Sequence, residues 1–312
     1  MIVEIKDLVK RYGDLLAVDH LDLDIKDGEI YGLLGPNGSG KTTVINCLLS
    51  LLKYEQGEIS IFGKEMKADA YDIKSQIGVV MQNPAVYEEL TVRENINYFS
   101  SLYISDNKKR KDAVDWAIDF VQLKEFEKYH PSKLSGGLLR RLNLACGIAH
   151  KPKLIILDEP TVAVDPQSRN RILEGIKDLR DNGSTVLYTT HYMEEVEAIC
   201  DKISIMDKGK ILVTGSSQEI KDLSQHGEVI SITAYDLSEE MIEKIKKLKN
   251  LKQMDYKDAL LTLRMNRGMN TLTQILDLFE EEHVAIQKIS LKQPSLNDVF
   301  LEITGKELRD HV

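Results

Sequence analysis

No run of this chain approaches the roughly 20 apolar residues needed to span a bilayer. If the protein acts at a membrane, a partner has to supply the spanning part. No apolar signal core is present either: Met1-Ile2-Val3-Glu4-Ile5-Lys6-Asp7 carries acidic residues from the start. Cysteine is scarce. Cys47, Cys146 and Cys200 are scattered, without metal-ligand spacing and in apolar helical contexts, which reads as buried thiols in a reducing cytosol. Positive charge is in deficit: 41 Lys and Arg against 50 Asp and Glu leave a net charge of -9, and the pI is about 5.4. That balance weighs against nucleic-acid binding. Repeats and low-complexity tracts are absent. What is there is a globular composition, 42% hydrophobic and 29% charged over 312 residues, enough for two domains and a sizeable core.

The chain is organised around Gly35-Pro36-Asn37-Gly38-Ser39-Gly40-Lys41-Thr42-Thr43, which fits the phosphate-binding pattern G-x-x-x-x-G-K-[ST]. Glu29–Leu34 before it reads as a buried strand and Thr43–Leu52 after it as a helix, the context the pattern requires. Glycines let backbone N–H groups converge on phosphate oxygens. The helix start adds unpaired N–H groups and a positive dipole end. Lys41 supplies a mobile ammonium, and the Thr42 hydroxyl can ligate Mg²⁺.

Residues 2–34 read as strands, with Leu21, Leu23 and Ile25 in period two and a turn signal at Asp27-Gly28. Tyr12, taken alone, is an ordinary half-buried tyrosine. Glu58–Gly63 and Ile77–Gln82 are further strands. From about Val86 to Ala149 the pattern is helical. There Ala113, Trp116, Ala117, Phe120 and Val121 share one face, which places Trp116 in the core. Lys108–Lys111 reads as a solvated face. Leu154-Ile155-Ile156-Leu157-Asp158-Glu159 is a continuous apolar strand ending in two carboxylates, as in a parallel sheet covered on both faces. Thr185–Thr190 delivers His191 to a comparable place, beyond the strand ends where ligands of such sheets bind. Strands at 203–206 and 210–213 flank a hairpin signal. After about residue 219 the order becomes β-α-β-β-α-β, a ferredoxin-like α+β domain over 220–312. Read singly, His191 is a structural histidine, Asp158-Glu159 a strand end, and Ser135-Gly136-Gly137 a loop or helix cap.

As an ordered set these motifs resemble the ATP-binding-cassette ATPase family, over roughly residues 1–220. The resemblance implies an α/β P-loop (RecA-like) core with an antiparallel β subdomain and a helical signature subdomain at about 86–150. It implies ATP and Mg²⁺ as ligands. Tyr12 matches the adenine-stacking aromatic and Gly35–Thr42 the Walker A loop. Gln82 matches the Q-loop glutamine that senses Mg²⁺ and the attacking water. Leu134-Ser135-Gly136-Gly137 match the signature, Leu154–Asp158 Walker B, Glu159 the catalytic carboxylate, Ala163-Val164-Asp165 the D-loop, and His191 the switch histidine. Thr42, Gln82 and Asp158 would serve Mg²⁺. Each ATP would lie between one copy's Walker A loop and the other's signature, so a second copy of the chain is an expected partner. Two of the motifs depart from the pattern. Leu138 replaces the usual glutamine of the signature, and Ala163-Val164 stand where Gly-Leu is common, with little effect expected.

Pro160–Pro166 and Thr190–Glu195 are similar to bacterial ATPases that pair with type-2 exporter permeases. The ending Pro294–Gly305 resembles the tail of drug and antibiotic exporters, and Gln167-Ser168-Arg169-Asn170 that of the linearmycin-resistance type. The resemblance thus implies an exporter subunit on the cytoplasmic face of the membrane, working with an integral membrane permease and without nucleic acid. The rival readings are a soluble cassette ATPase acting on ribosomes or nucleic acid, and an import ATPase. The ribosomal type usually has two cassettes in one chain and the DNA-repair type long coiled coils; neither is here.

Overall fold

A computed structural model describes residues 1–224, 229–235, 237–249, 251–265, 271–292 and 294–304. Gly305, the end of the exporter-like tail, lies outside the described residues. The chain divides into two compact units, between Ser217 and Gln218.

The first unit holds β1 (Val3–Tyr12), β2 (Leu15–Ile25), β3 (Ile30–Leu34), α1 (Lys41–Leu48), β4 (Gln56–Ile61), β5 (Lys64–Glu65), α2 (Tyr71–Lys74) and β6 (Ile77–Val80). There follow α3 (Val92–Ser101), α4 (Asn107–Phe120), α5 (Gly136–Ile148), β7 (Leu154–Asp158), α6 (Pro166–Asp181), β8 (Thr185–Thr190), α7 (Met193–Ile199), β9 (Lys202–Asp207) and β10 (Lys210–Gly215). One sheet is antiparallel, in the order β2-β1-β4-β5. The other runs β10-β9-β3-β8-β7-β6. It is parallel from β9 to β6, with β10 antiparallel at the edge.

The continuous apolar strands sit where both faces are covered. All of β3, β7 and β8 is buried. Leu33, Ile156 and Leu187 join α1 and the antiparallel sheet in one cluster. On β3 the neighbouring Gly32 meets α7 so closely that a Cβ there would lie 2.8 Å from Cys200 Sγ. Helix starts follow the sequence signals: Thr91 and Glu94 form a capping box on α3, and Asp106, Ser135 and Asp165 cap α4, α5 and α6.

Two expectations change. Trp116 is half-buried rather than core. The buried positions of α4 are Ala113, Val114, Ala117 and Ile118, so the inward face is turned toward the small residues. Trp116 stacks on Phe120 at 5.2 Å, with Lys151 Nζ 4.8 Å from its ring. Cys200 is also only half-buried, closing α7, whereas Cys47 and Cys146 are buried.

The second unit holds α8 (Ser217–Lys221, which begins at the division), β11 (Val229–Thr233), α9 (Glu239–Lys246), β12 (Leu251–Lys257), β13 (Leu260–Met265), α10 (Thr271–Glu281), β14 (Lys288–Lys292) and α11 (Leu296–Thr304). Its antiparallel sheet has the order β12-β13-β11-β14, the ferredoxin-like arrangement of a β-α-β-β-α-β chain. Ile230, Ile232, Leu261 and Leu263 pack with Met241, Ile245, Ile275 and Phe279 of α9 and α10 in a core of its own.

One buried titratable group follows from this packing. His150, just after α5, stacks on Tyr103 at 3.8 Å, and its Nε2 lies 3.2 Å from the Ile77 carbonyl oxygen. Its Nδ1 is buried without a partner among the described residues, so a second proton would be unpaired. Burial accordingly pushes its pKa down to about 4. Between the ordinary value near ~6.5 and that value, the unfolded chain binds a proton that the folded chain refuses, so stability falls as pH falls, by up to about 3 kcal/mol. We predict that His150→Gln narrows the loss in urea midpoint between pH 7 and pH 4.5 relative to the unsubstituted protein. Equal losses in the two proteins would remove His150 as its source.

Candidate functional site

The loop from Gly35 to Gly40 joins β3 to α1 and is shaped by close approach. A Cβ on Gly35 would lie 2.2 Å from the Met206 carbonyl oxygen. Gly40 has φ 109°, and a Cβ there would lie 2.6 Å from the Ala17 carbonyl oxygen. Both positions therefore need glycine. Gly35 N–H donates to the Thr190 carbonyl at 3.3 Å, Ser39 N–H to Pro36 at 3.1 Å, and Gly209 N–H to Ser39 at 2.9 Å. Gly40 caps α1 without a side-chain hydrogen bond, which leaves the first-turn N–H groups for another acceptor. Ser39 Oγ is buried and has no partner among the described residues. An uncapped helix start, an orphan hydroxyl and a buried ammonium suit a chain of phosphates.

Lys41 and Glu159 are 4% and 5% exposed. Lys41 Nζ donates to the Gly35 and Pro36 carbonyls at 2.8 and 3.1 Å and lies 3.2 Å from Glu159 Oε1. Gln82 Nε2, from the segment after β6, donates to Glu159 Oε2 at 3.1 Å, and His191 Nδ1 lies 3.4 Å from the same oxygen. Burial works against ionisation of Glu159. The nearby His191 imidazole and the charge of Lys41 outweigh it, and the carboxyl is held below its ordinary value. Glu159 has φ 48°, a left-handed conformation that costs a side-chain-bearing residue about 1–2 kcal/mol. Its N–H is shared between the Thr189 carbonyl and hydroxyl, both at 3.1 Å, which helps offset that cost.

Beside this pair, Thr42 Oγ1 donates to Asp158 Oδ2 at 2.9 Å and Thr189 Oγ1 to Asp158 Oδ1 at 2.6 Å. No group of three His, Cys, Asp or Glu that could hold a metal occurs among the described residues. A hydroxyl and one carboxylate are instead the donor set of Mg²⁺ carried by phosphates and water. Gln82, expected at the metal, gives its amide to Glu159.

Lys41, Thr42, Gln82 and Glu159 line a cavity of about 480 Å³ together with Tyr12 and Gly38; Asp158 and His191 are not in its wall and reach it through their contacts with Thr42 and Glu159. Asn37, Gly40 and Thr43 line it too. Tyr12, at the end of β1, is 47% exposed, with a face available for a planar ring. The sequence reading did not identify Leu15, Leu16, Ala17, Lys208 and Gly209 in the wall. The hairpin signal Asp207-Lys208-Gly209 marked the turn but not its neighbour. Asp19 N–H donates to the Gly209 carbonyl at 2.9 Å, and that contact brings the two hairpins together.

Ser135, Gly136, Gly137 and Asp165 are not brought to this cavity. They form a second cluster. Ser135 Oγ accepts from Leu138 N–H at 3.3 Å, and Asp165 Oδ1 from Ser168 N–H at 2.9 Å. A Cβ on Gly137 would lie 2.4 Å from Ser168 Oγ and 3.0 Å from Asp165 Oδ2, so glycine is what lets α5 and α6 start side by side. Backbone bonds from Ser168 hold the Asp165 carboxyl below its ordinary value. Ser135, Gly136 and Asp165 are exposed. Ala163 has φ 60°, so the residue in place of the common glycine is not neutral: it costs about 1 kcal/mol in that conformation.

The chain is similar to known proteins along its whole length. A family model described as "ABC transporter" matches residues 18–162. Another, described as "ATP-binding protein DrrA1-3-like, C-terminal domain", matches residues 215–304. The linearmycin resistance ATP-binding protein of Bacillus subtilis is 33% identical over 99% of this chain and 100% of its own. A daunorubicin resistance ATP-binding protein of Streptomyces coeruleorubidus is 31% identical over 96% of this chain and 95% of its own. Among solved structures, a dimeric ATP-binding cassette in a post-hydrolysis state with ADP and phosphate bound superposes with a TM-score of 0.63. It is 26% identical and covers 69% of this chain and 98% of its own. With the phosphate loop, the strand-end carboxylates and the second domain all accounted for, the chain belongs to the ABC transporter family, as one of its ATPases.

Proposed function

We propose that this ATPase drives export of a drug- or antibiotic-like lipophilic compound through a separate membrane permease. The observation that carries the ATPase chemistry is the convergence of Lys41, Thr42, Asp158, Glu159, His191 and Gln82 at the ends of adjacent parallel strands. The full-length similarity to two resistance proteins, second domain included, supports the export direction. No described helix is long and apolar enough to cross a membrane. In this reading a separate permease is the partner, and the subunit sits against it on the cytoplasmic face.

In this reading Tyr12 stacks on the adenine, and residues 35–43 bind the phosphates through backbone N–H groups and Lys41. Thr42 and Asp158 would hold Mg²⁺, with Gln82 near it, and the ion would supply positive charge to the phosphates. Glu159, kept ionised, accepts a proton from the attacking water. Its partners Lys41, His191 and Gln82 are then the groups that turn to phosphate and water when ATP enters. His191 hydrogen-bonds the γ-phosphate. Ser135, Gly136, Gly137 and Asp165 act on the ATP of a second copy, a reading favoured by their position away from the cavity and by the exposure of Ser135, Gly136 and Asp165. ATP binding closes the dimer and hydrolysis opens it.

Glu159→Gln is expected to bind ATP and to lower kcat by about 10²–10⁴-fold, the usual worth of a general base; steady-state phosphate release against ATP titration reads both, and normal turnover would remove Glu159 from that role. Lys41→Ala and Ser135→Arg should each be inactive alone, the first by losing the charged phosphate contact. Mixed, they should regain hydrolysis, because one of the two shared sites is then intact. A mixture as inactive as its components would argue for sites complete within one chain. For the exporter reading, tagged Glu159→Gln is purified from its native cells in mild detergent with ATP. A polytopic membrane protein in fixed ratio is expected; ribosomes or nucleic acid without one would overturn it.

A further inference from the structure

The histidine beside Glu159 is itself held from behind. Glu195, on α7, is 1% exposed. Its Oε2 accepts hydrogen bonds from Tyr188 OH and Thr190 Oγ1, each at 2.7 Å. Thr190 and Tyr192 flank His191 in the chain. The Thr190 hydroxyl also accepts the Tyr192 N–H at 3.0 Å, so one side chain closes the turn that carries the imidazole, and Glu195 fixes that side chain. Glu195 Oε1 lies 3.5 Å from Arg169 Nε. The Arg169 guanidinium in turn lies 4.8 Å from the centre of the Tyr192 ring, which packs 4.1 Å from the ring of His191.

The same carboxylate reaches the segment that ends in Asp165. Tyr188 OH is 3.3 Å from Thr161 Oγ1, in the turn between Glu159 and Asp165. Arg169 N–H donates to the Asp165 carbonyl at 2.9 Å. Burying a carboxylate is costly, and an apolar side chain of the same size would fill the space more cheaply. Here the contacts of the charge go to the neighbours of His191 and to the Thr161–Arg169 segment. None of them goes to the nucleotide cavity.

We propose that Glu195 is a positioning residue for ATP hydrolysis. It fixes the turn of His191 and ties that turn to the segment headed by Asp165, so that the histidine and the residues facing a second copy are set together. The proposal rests on the reading of the cavity as an ATP site. Glu195→Gln keeps the shape and removes the charge. It should lower kcat about tenfold while the KM for ATP stays within about twofold and the melting temperature stays close to that of the unsubstituted protein. Tyr188→Phe, which deletes one hydroxyl, should lower kcat in the same direction by a smaller factor, and it decides the matter on the same split if Glu195→Gln does not fold. A normal kcat with a lowered melting temperature would make the cluster merely structural and overturn the proposal, as would a raised KM with kcat unchanged. Absence of turnover in the unsubstituted protein would instead overturn the ATP-site reading together with this one.

Discussion

Two charges that could not be buried singly set the terms for the structure. The Lys41 ammonium and the Glu159 carboxylate lie 3.2 Å apart with almost no exposure. Burial costs several kcal/mol per ion unless geometry and further hydrogen bonds offset it. The offset has to come from elements that end at one place. Lys41 follows β3, His191 follows β8, Glu159 follows β7 and Gln82 follows β6, and these strands are consecutive in the sheet. Only a parallel sheet sends all four strand ends to the same side. The cover over both faces of β3, β7 and β8, and the glycines that let Met206 and Ala17 approach the loop, are what that convergence requires.

The turn after Glu159 serves two places at once. Glu159 and Ala163 both take left-handed backbone conformations, and between them Thr161 is buried against Tyr188. The chain therefore leaves the cavity and, within a few residues, starts α6 at Asp165, beside the glycine of the signature. Strain at a functional turn persists when its surroundings over-determine it. Here the fixed points are the Thr189 contacts on one side and the Ser168 contacts on the other. Glu159 in the cavity wall and Asp165 beside Gly137 are thereby joined by a short piece of chain.

The sequence was most legible where one physical demand fixes both residue type and spacing. A loop that presents backbone to phosphate must have glycine at given positions, and a strand covered on both faces must be apolar throughout. The motif residues, the strands and the order of the second unit were therefore readable. Trp116 was misread because a shared helical face says which residues lie together, not which way the face turns. The small residues Ala113 and Ala117 pack closest, and the indole is left at the edge. The partner of Gln82 was not readable, since its amide suits either a metal or a carboxylate. Nor was the wall at Ala17 and Lys208, where contact depends on two hairpins meeting, and neither hairpin carries a chemical signature. The backbone strain at Ala163 is invisible in a pair of small apolar residues until φ is known.

The second unit shows the converse. Its alternation was legible because Ile230 and Ile232 on β11 and Leu261 and Leu263 on β13 pack under two helices, while Ser231 and Thr262 between them pair on the other face. All of that pattern is accounted for by folding, and a residue explained by the core carries no information about a ligand. The first unit is legible for a different reason: glycines where backbone approaches closely, an uncapped helix start and a buried ammonium suit a chain of phosphates. Residues set by packing in the second unit and by phosphate chemistry in the first are thus legible for different reasons, one from periodicity and the other from residue type at fixed spacing.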